Sequence, residues 1–344
     1  MALTFLRRRG DARDSADTGF DGTDAELRAE IDRLTDLRRS ERSPEADRRL
    51  LWLRHLAGIR LVEAASGASF VAPDEAALPP QPQDGLLELP ASAVTPGIIR
   101  AAMLRDGGII VRGLVPRDDA LHLAAGIDAA FAVREAGDTG AGDADVYREF
   151  VPERPYQPIG TRDWIRAGGG ILAADCPSLA FELQELFINA GVPALAAGYL
   201  GEPAVFSVDK TTLRKATPDV PGGWHQDGKF MGDVRALNLW LSLSRCGDVA
   251  PGLDIVARRF EEMVRTQTEE AVLTIQVSQA LAEEAAGDRP IIRPIFEPGD
   301  AIFFDEMNLH KTGSDPSMPN PRFAVENWFF GPSGFPEAYV PIAV

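Results

Sequence analysis

The 344-residue chain is poor in cysteine, in basic residues and in long apolar runs. Its two cysteines, Cys176 and Cys246, are too few for a disulfide framework and form no CxxC pair, so we expect buried, unreactive thiols. No stretch approaches the roughly 18 apolar residues that a membrane-spanning helix requires. The N-terminal MALTFLRRRGDARDS places its arginines after a short apolar stretch, whereas a secretory signal begins with the charge. Together these absences predict a cytoplasmic protein.

Positive charge is scarce as well. Lys plus Arg total 35 against 52 for Asp plus Glu, which gives a formal net charge of −17 at pH 7. Nucleic acids and anionic membranes bind through Lys and Arg, so a chain this acidic and without a basic stripe predicts neither partner. The composition, 45% hydrophobic and 25% charged, is typical of a soluble globular protein that can bury a sizeable core.

Composition shifts divide the chain into four predicted regions. Residues 1–22 are polar and rich in Gly and Asp, which is typical of a flexible leader. Residues 23–71 carry apolar side chains at helical spacing and predict a helical N-terminal region. This region could be a dimerisation element that makes a homo-oligomer or a cap on the main domain, and both interpretations stay open. Residues 72–93, rich in Pro and acidic residues, predict a linker, and residues 94–344 the functional domain.

The functional domain is predicted to begin with helices and to continue, from about residue 203, mainly with short strands. The first strand is expected at 107–115, followed by helical segments over 117–133 and 177–200. Later strands are predicted over 203–208, 210–216, 235–243, 253–257, 291–296, 300–304 and 322–330. One helix is expected among them, over 259–286. Short strands at this spacing favour a sandwich or barrel over a parallel sheet, so the predicted fold class is α+β.

A candidate metal site begins in GGWHQDGKF, residues 222–230. His225 and Asp227 are two positions apart, so in an extended segment both side chains project from the same face. The two histidines that fall in predicted amphipathic helices are His55 and His122. His310, just beyond the apolar strand, is therefore the candidate third ligand. Two histidines and one carboxylate form the facial triad of non-haem Fe(II) oxygenases, which leaves coordination positions open.

A basic residue and a hydroxyl follow the third ligand. Arg322 opens the strand RFAVENWFF twelve residues after His310, and Thr312 lies two residues after that histidine. A guanidinium is suited to bidentate capture of a carboxylate in a partly buried site. Strand alternation puts on one face Arg322, Ala324, Glu326, Trp328 and Phe330. Because large apolar groups share that face, we expect it to point inward.

Two expectations follow for the side chains around this face. The aromatic residues expected in the core are Trp240, Trp328, Phe303 and Phe230. An inward Glu326 needs a partner, since burying a lone carboxylate is costly. It could bind substrate, hold an arginine, or point outward at a bulge, and these three interpretations stay open.

In this order and spacing, the motifs resemble the phytanoyl-CoA dioxygenase family. The resemblance rests on LRDGGIIVRGLV (104–115), WHQD (224–227), NLWLSL (238–243) and PGDAIFFD (298–305), with His310, Thr312 and Arg322, and covers roughly residues 90–335. It implies a double-stranded β-helix (jelly-roll, cupin-like) core with flanking helices. It also implies an oxidoreductase that uses Fe(II), 2-oxoglutarate and O₂ to hydroxylate a small-molecule substrate, with release of succinate and CO₂.

Carried over residue by residue, the resemblance implies that His225, Asp227 and His310 are the iron ligands and catalytic residues. Arg322 and Thr312 match the anchor for the C5 carboxylate of 2-oxoglutarate. A second contact, to the C1 carboxylate, commonly comes from the region that here contains Asn238, Lys210, Arg214 and Lys215. Asn238 is the residue proposed for it.

One segment departs from the family pattern. Residues 250–263 read APGLDIVARRFEEM, where many relatives have an Asn-Gly turn and a strand that ends in Pro-Gly-Ser-His. This segment helps to wall the substrate pocket in the family, so the departure argues against phytanoyl-CoA itself as substrate. Two alternatives remain: a catalytically silent jelly-roll binding protein, or a metal-dependent hydrolase or epimerase that uses the same triad. Neither alternative requires an arginine that grips a dicarboxylate, so Arg322 discriminates between the functions.

Overall fold

The computed structural model describes residues 19–69, 71–137, 143–153, 162–219, 222–232, 234–266 and 275–344. Most of the predicted leader, residues 1–18, lies outside the described residues. The helices are α1 (Asp24–Ser40), α2 (Pro44–Glu63), α3 (Pro96–Asp106), α4 (Arg117–Gly137), α5 (Arg162–Ala167), α6 (Pro177–Asn189), α7 (Val192–Leu200), α8 (Gly228–Met231) and α9 (Gln279–Ala286). Over the described ranges, none of them combines the length and apolar character needed to cross a membrane.

The strands form one large sheet and one small one. They are β1 (Leu87–Pro90), β2 (Gly108–Arg112), β3 (Gly170–Leu172), β4 (Val205–Ala216), β5 (Ala236–Ser242), β6 (Gly252–Val256), β7 (Ile291–Ile292), β8 (Ala301–Phe304), β9 (His310–Gly313), β10 (Arg322–Phe330) and β11 (Pro341–Ala343). The large sheet has the order β1-β2-β8-β5-β10-β4-β11, and β3 also pairs with β4. Its neighbours are antiparallel except β1 and β2. The small sheet, β7-β6-β9, is antiparallel.

Side-chain alternation divides the large sheet into a helix-covered face and an inner face. Leu239 of β5 and Val325 of β10 pack with the helices in the largest core cluster. Trp240 and Trp328, on the same two strands, instead pack with the small sheet through residues such as Ile255 of β6. The inner face is therefore enclosed between two antiparallel sheets, an arrangement consistent with a jelly-roll-like core. The mixed helix and strand content agrees with the predicted α+β class.

The N-terminal helices begin at strong capping residues and pack on the rest of the chain. Thr23 caps α1 through a reciprocal capping box with Glu26. Ser43 caps α2, with Pro44 in its first turn. Helix α2 then lies against β11 and α6, so this region contacts the large sheet directly. Residues 72–93, for which the sequence predicts a linker, include β1, which pairs in parallel with β2.

The helix predicted over 259–286 is wrong for most of its described length. Only Gln279–Ala286 is helical, residues 259–266 are irregular, and 267–274 lie outside the described residues. Tertiary contacts explain the irregular part: Arg259 pairs with the buried carboxylate of Asp305, and the Val264 N–H donates 2.7 Å to Gln226 Oε1. The predicted strand 291–296 is likewise reduced to Ile291–Ile292. A proline two residues later, which has no N–H to donate, stops the ladder.

Gly58 lets α2 approach the backbone of β11. A Cβ atom at this position would lie 2.9 Å from the Ile342 nitrogen and 2.9 Å from the Pro341 carbonyl carbon. Main chain cannot move aside as a side chain can, so we expect Gly58→Ala to destabilise the protein by about 1–3 kcal/mol despite its better helix propensity. Urea unfolding measures the change. Gly126→Ala in α4 is the matched control, because its Cβ would meet the mobile end of Leu179; equal losses would contradict the explanation.

His55 ties the same helix to two other segments. It is fully buried, its Nδ1 donates to the Pro341 carbonyl at 2.7 Å, and its Nε2 accepts the Glu153 N–H at 3.0 Å. Burial lowers the pKa of His55 to about 4, so the folded protein holds it neutral. As pH falls, His55 is protonated in the unfolded chain before it is protonated in the folded protein. The stability that the neutral, buried His55 contributes is therefore fully present above about pH 6.5 and is lost toward pH 4.

We therefore expect the free energy of unfolding to fall between pH 6.5 and 4 with a slope from His55 of up to about 1.4 kcal/mol per pH unit. His55→Gln should remove that slope, whereas His122→Gln, on an exposed side chain of α4, should leave it. Urea unfolding at several pH values measures both. An unchanged slope in His55→Gln would refute the assignment.

Candidate metal centre

The structure brings His225, Asp227 and His310 together. One candidate ligand atom from each lies within 4.8 Å of the others. His225 Nε2 lies 3.8 Å from Asp227 Oδ1, and His310 Nε2 lies 3.9 Å from Asp227 Oδ2. The backbones of the two histidines pair as an antiparallel bridge, with N–H to carbonyl distances of 3.0 and 3.1 Å. Residues 85 positions apart in sequence are thus held in register by main chain.

Both imidazoles are oriented by their second nitrogen. His225 Nδ1 lies 2.8 Å from the Gly223 carbonyl, and His310 Nδ1 lies 3.2 Å from the Asn308 carbonyl. A carbonyl only accepts, so each Nδ1 must carry the hydrogen and each Nε2 presents a lone pair toward Asp227. Burial is the main reason that the pKa of His310 is lowered to about 4, which keeps this ring neutral. Neutral imidazole is the form that binds metals.

The donor set fits a divalent cation. Asp227 is 3% exposed, and its Oδ2 has no hydrogen-bond partner among the described residues. Two nitrogen lone pairs and a carboxylate therefore converge without a donor between them, an unfavourable arrangement unless a positive ion lies at the centre. The side chain of His225 keeps 27% of its surface exposed while Asp227 and His310 keep 3% and 8%. Solvent thus reaches the centre from the His225 side.

Arg322 lies on the inner face, as alternation predicts. It is 3% exposed, and its Nη1 donates 2.9 Å to the Gly252 carbonyl of the small sheet. Its Nε has no hydrogen-bond partner, and within the described ranges no carboxylate lies at ion-pairing distance. Burial lowers the pKa of Arg322 to about 10. The guanidinium is therefore a buried cation that still lacks an anionic partner.

Thr312 and Asn238 lie on the inner side as well. The carbonyl of Gly252 accepts the hydrogen bond from Arg322, and Gly252 pairs with Gly313 across the small sheet. Thr312, the neighbour of Gly313, therefore lies close to this hydrogen bond. Thr312 also follows His310 by two positions in β9, so both project from one face. Asn238 is fully buried between Phe304 and Trp328, and neither atom of its amide has a hydrogen-bond partner in the part of the chain described.

The inner face also carries charged residues of β4. Arg214 holds Glu326 through two hydrogen bonds of 2.8 and 3.1 Å, so of the three interpretations of Glu326 the structure shows the arginine pair. Burial opposes the Glu326 charge, but Arg214 and Lys210 bring its pKa to about 2. The side chain keeps 27% of its surface, as expected of a group that lines a cleft. Burial lowers the pKa of the Lys210 ammonium, and the nearby negative charges of Asp227 and Glu326 oppose that shift without cancelling it.

Phe230 is not a core residue, contrary to the prediction from sequence. It is 39% exposed, and its ring lies 3.9 Å from the Lys210 ammonium, which is also 5.5 Å from the Tyr339 ring. The aromatic rings thus shield a cation beside the metal centre. From the sequence, Lys210 was identified as part of the region that could contact the co-substrate, but Tyr339 and the packing of Phe230 on Lys210 were missed. The available signal was the alternation of Lys210, Thr212 and Arg214 in β4, which places all three on the inner face.

The other predicted core aromatics, and both cysteines, are buried. His122 is exposed on its helix, and His55 is hydrogen-bonded in the core. Within the described residues, the one cluster that could hold a metal ion is therefore His225, Asp227 and His310.

No protein-family model matches the sequence, and a search of curated proteins finds no match. Solved structures that resemble the fold include EctD from S. alaskensis with 2-oxoglutarate and 5-hydroxyectoine, at 20% identity and a TM-score of 0.48, covering 79% of this chain and 89% of that one. The epimerase SnoN, in complex with Fe³⁺, alpha ketoglutarate and nogalamycin RO, has 16% identity and a TM-score of 0.44, covering 68% and 82%. AviO1 from Streptomyces viridochromogenes Tue57 has 18% identity and a TM-score of 0.42, covering 69% and 96%. These are distant similarities of fold, so function is inferred below from the site itself.

Removing the charge of Asp227 should have opposite effects on the stability of the metal-free protein and on metal binding. Asp227→Asn replaces a buried charge with a neutral amide whose nitrogen can donate toward one of the two facing Nε2 atoms. We therefore expect the metal-free protein to gain about 1 kcal/mol in free energy of unfolding. The same change should abolish the stabilisation that Co(II) gives to the unaltered protein.

Urea unfolding with and without Co(II) measures both effects. Asp315→Asn, at an exposed loop position, is the control and should change neither. Retention of Co(II) stabilisation by Asp227→Asn would exclude Asp227 from the metal centre.

Proposed function

We propose that this protein is a non-haem Fe(II)- and 2-oxoglutarate-dependent dioxygenase that hydroxylates a small molecule. His225, Asp227 and His310 would hold the iron, since they supply two neutral imidazoles and one carboxylate on one side of a cleft. Bound iron and 2-oxoglutarate supply the oxidation of a C–H bond by O₂, with succinate and CO₂ as co-products. The protein's residues orient the reactants and exclude water from them.

The observation that carries the proposal is the buried guanidinium of Arg322, which has no carboxylate partner within the described residues and an Nε without a hydrogen bond. A buried charge without a counter-ion is costly, so such a residue is best explained by an anion that completes it. The C5 carboxylate of 2-oxoglutarate would accept from the free edge of Arg322, with the hydroxyl of Thr312 beside it. Arg322 lies on β10 of the large sheet, whereas His310 lies on β9 of the small sheet. The hydrogen bond from Arg322 to the Gly252 carbonyl links the two sheets and so fixes the distance between these residues.

The remaining inner charges fit the second end of the co-substrate or the substrate. Asn238 has an amide with no partner in the described structure and is our candidate for the C1 carboxylate. Lys210 lies between its two aromatic rings, beside the ligand Asp227, and is positioned to attract an anionic group of substrate or co-substrate. The Glu326–Arg214 pair neutralises itself and forms a polar wall of the cleft.

Arg322 also weighs against the alternatives. A metal-dependent hydrolase, or an epimerase that works without 2-oxoglutarate, would have no use for a buried arginine suited to a dicarboxylate. A silent binding protein would not need a buried carboxylate oxygen without a partner beside two histidines held in register by a backbone bridge.

Anaerobic titration of 2-oxoglutarate into the Fe(II) protein, followed by the visible absorption of the chelate, tests the anchor. Arg322→Met should weaken the 2-oxoglutarate Kd by at least about 30-fold, because removing one partner of a buried charged pair costs about 2 kcal/mol or more. Arg245→Met, at a partly exposed arginine paired with Asp248, is the control and should leave the Kd unchanged. An unchanged Kd in Arg322→Met would remove Arg322 from this role.

Succinate formation tests the reaction itself and needs no knowledge of the substrate. Purified protein with Fe(II), ascorbate and 2-oxoglutarate should form succinate slowly in an uncoupled reaction, and His225→Ala should not. If neither succinate nor the chelate absorption appears, the enzyme proposal fails.

A further inference from the structure

A second cleft, away from the metal centre, contains another buried arginine. It lies between α1 and α2, near the C-terminal end of α6 and of β11, with a volume of about 730 Å³. Helix α2, which forms one wall of the cleft, packs through Leu51 into the core on the helix-covered side of the large sheet. The metal centre lies on the inner side of that sheet. The two sites are therefore on opposite faces and do not share the residues that line them.

Arg54 provides the charge in this cleft. It is 6% exposed, its Nε has no hydrogen-bond partner, and no carboxylate within the described ranges lies at ion-pairing distance. Glu185 and Asp32 act on it only through longer-range charge, and burial lowers the pKa of the guanidinium. Glu185 is already held by Arg39 at 2.6 and 3.1 Å, so it is not available as the direct partner.

A hydroxyl without a partner lies in the same cleft. Thr35 is 6% exposed, and its Oγ1 has no hydrogen-bond partner in the described residues. A guanidinium and a hydroxyl, both buried and both lining one cavity, form a donor set for an oxyanion. The wall also includes the apolar side chains of Leu27, Ile31 and Ala57, together with charged residues such as Asp32 and Asp36. A volume of this size accommodates an organic ligand rather than a single ion.

We propose that the cleft binds an amphiphilic monoanion, with its carboxylate or phosphate on Arg54 and Thr35 and its apolar body against Leu27, Ile31 and Ala57. The lining carries four basic and four acidic side chains and so has no net charge; a single negative charge is supported by the local surroundings of Arg54 alone. Arg39 and Arg60 are neutralised by Glu185 and Asp24, which leaves Arg54 as the buried cation without a direct partner. A ligand with no charge would leave that cation unpaired, and a bare anion would leave the apolar wall exposed.

Isothermal titration of the full chain with octanoate, octyl phosphate, 1-octanol and inorganic phosphate tests the proposal. Octanoate or octyl phosphate should bind with a Kd below about 1 mM, and the tighter of the two identifies the head group. 1-Octanol and inorganic phosphate should each bind at least tenfold more weakly. Equal binding by 1-octanol, or by inorganic phosphate, would overturn the amphiphilic class.

Variants locate the binding. Arg54→Met should weaken the better ligand at least tenfold, whereas Arg33→Met, on an exposed arginine of α1 outside the cleft, should not. Ala57→Trp should block the cavity without removing a charge, which keeps the test decisive if Arg54→Met fails to fold. Asp227→Asn should leave octanoate binding unchanged. No binding by either amphiphile, or binding that survives both Arg54→Met and Ala57→Trp, would refute the site.

Discussion

The meeting of three electron-pair donors at His225, Asp227 and His310 is the constraint on which the rest of the inner cavity depends. Two backbone hydrogen bonds hold the histidines side by side, and two main-chain carbonyls turn their Nε2 atoms toward the carboxylate. Because backbone makes these contacts, the donors cannot relax away from each other. A cation bound between them would relieve their repulsion, and this would explain why a buried carboxylate oxygen remains without a partner among the described residues.

Around that centre the local charge is opposite to that of the whole protein. The chain carries a formal net charge of −17, yet Arg322, Arg214 and Lys210 line the inner face of the large sheet. Within the described residues, only Glu326 pairs directly with one of these three cations. An excess of buried cations beside a metal-binding triad attracts small anions into the cleft, whereas the acidic exterior would repel polyanions. The proposed dicarboxylate co-substrate agrees with both features.

Buried arginines without direct partners occur on both sides of the large sheet. Arg322 faces the inner cavity and Arg54 lies in the cleft beside the N-terminal helices, and each has an unsatisfied Nε. In a folded core such a charge is destabilising, so its presence at a cavity is better explained by an absent anion than by packing. The N-terminal helices thereby form the wall of a second cavity, in addition to covering β11.

Local pattern was sufficient for β2, β4, β5, β6, β8 and β10 and for the residue types of the candidate metal centre, but not for β1, β3, β9 and β11. Period-two alternation placed Arg322 and Trp328 on one buried face, because this signal depends only on neighbouring residues. Only the tertiary structure decided that Arg214 holds Glu326, that Phe230 covers Lys210, and that the segment after Arg259 is not helical. Each depends on partners more than fifteen residues away, whose long-range contacts override local propensity and leave no local sequence signature.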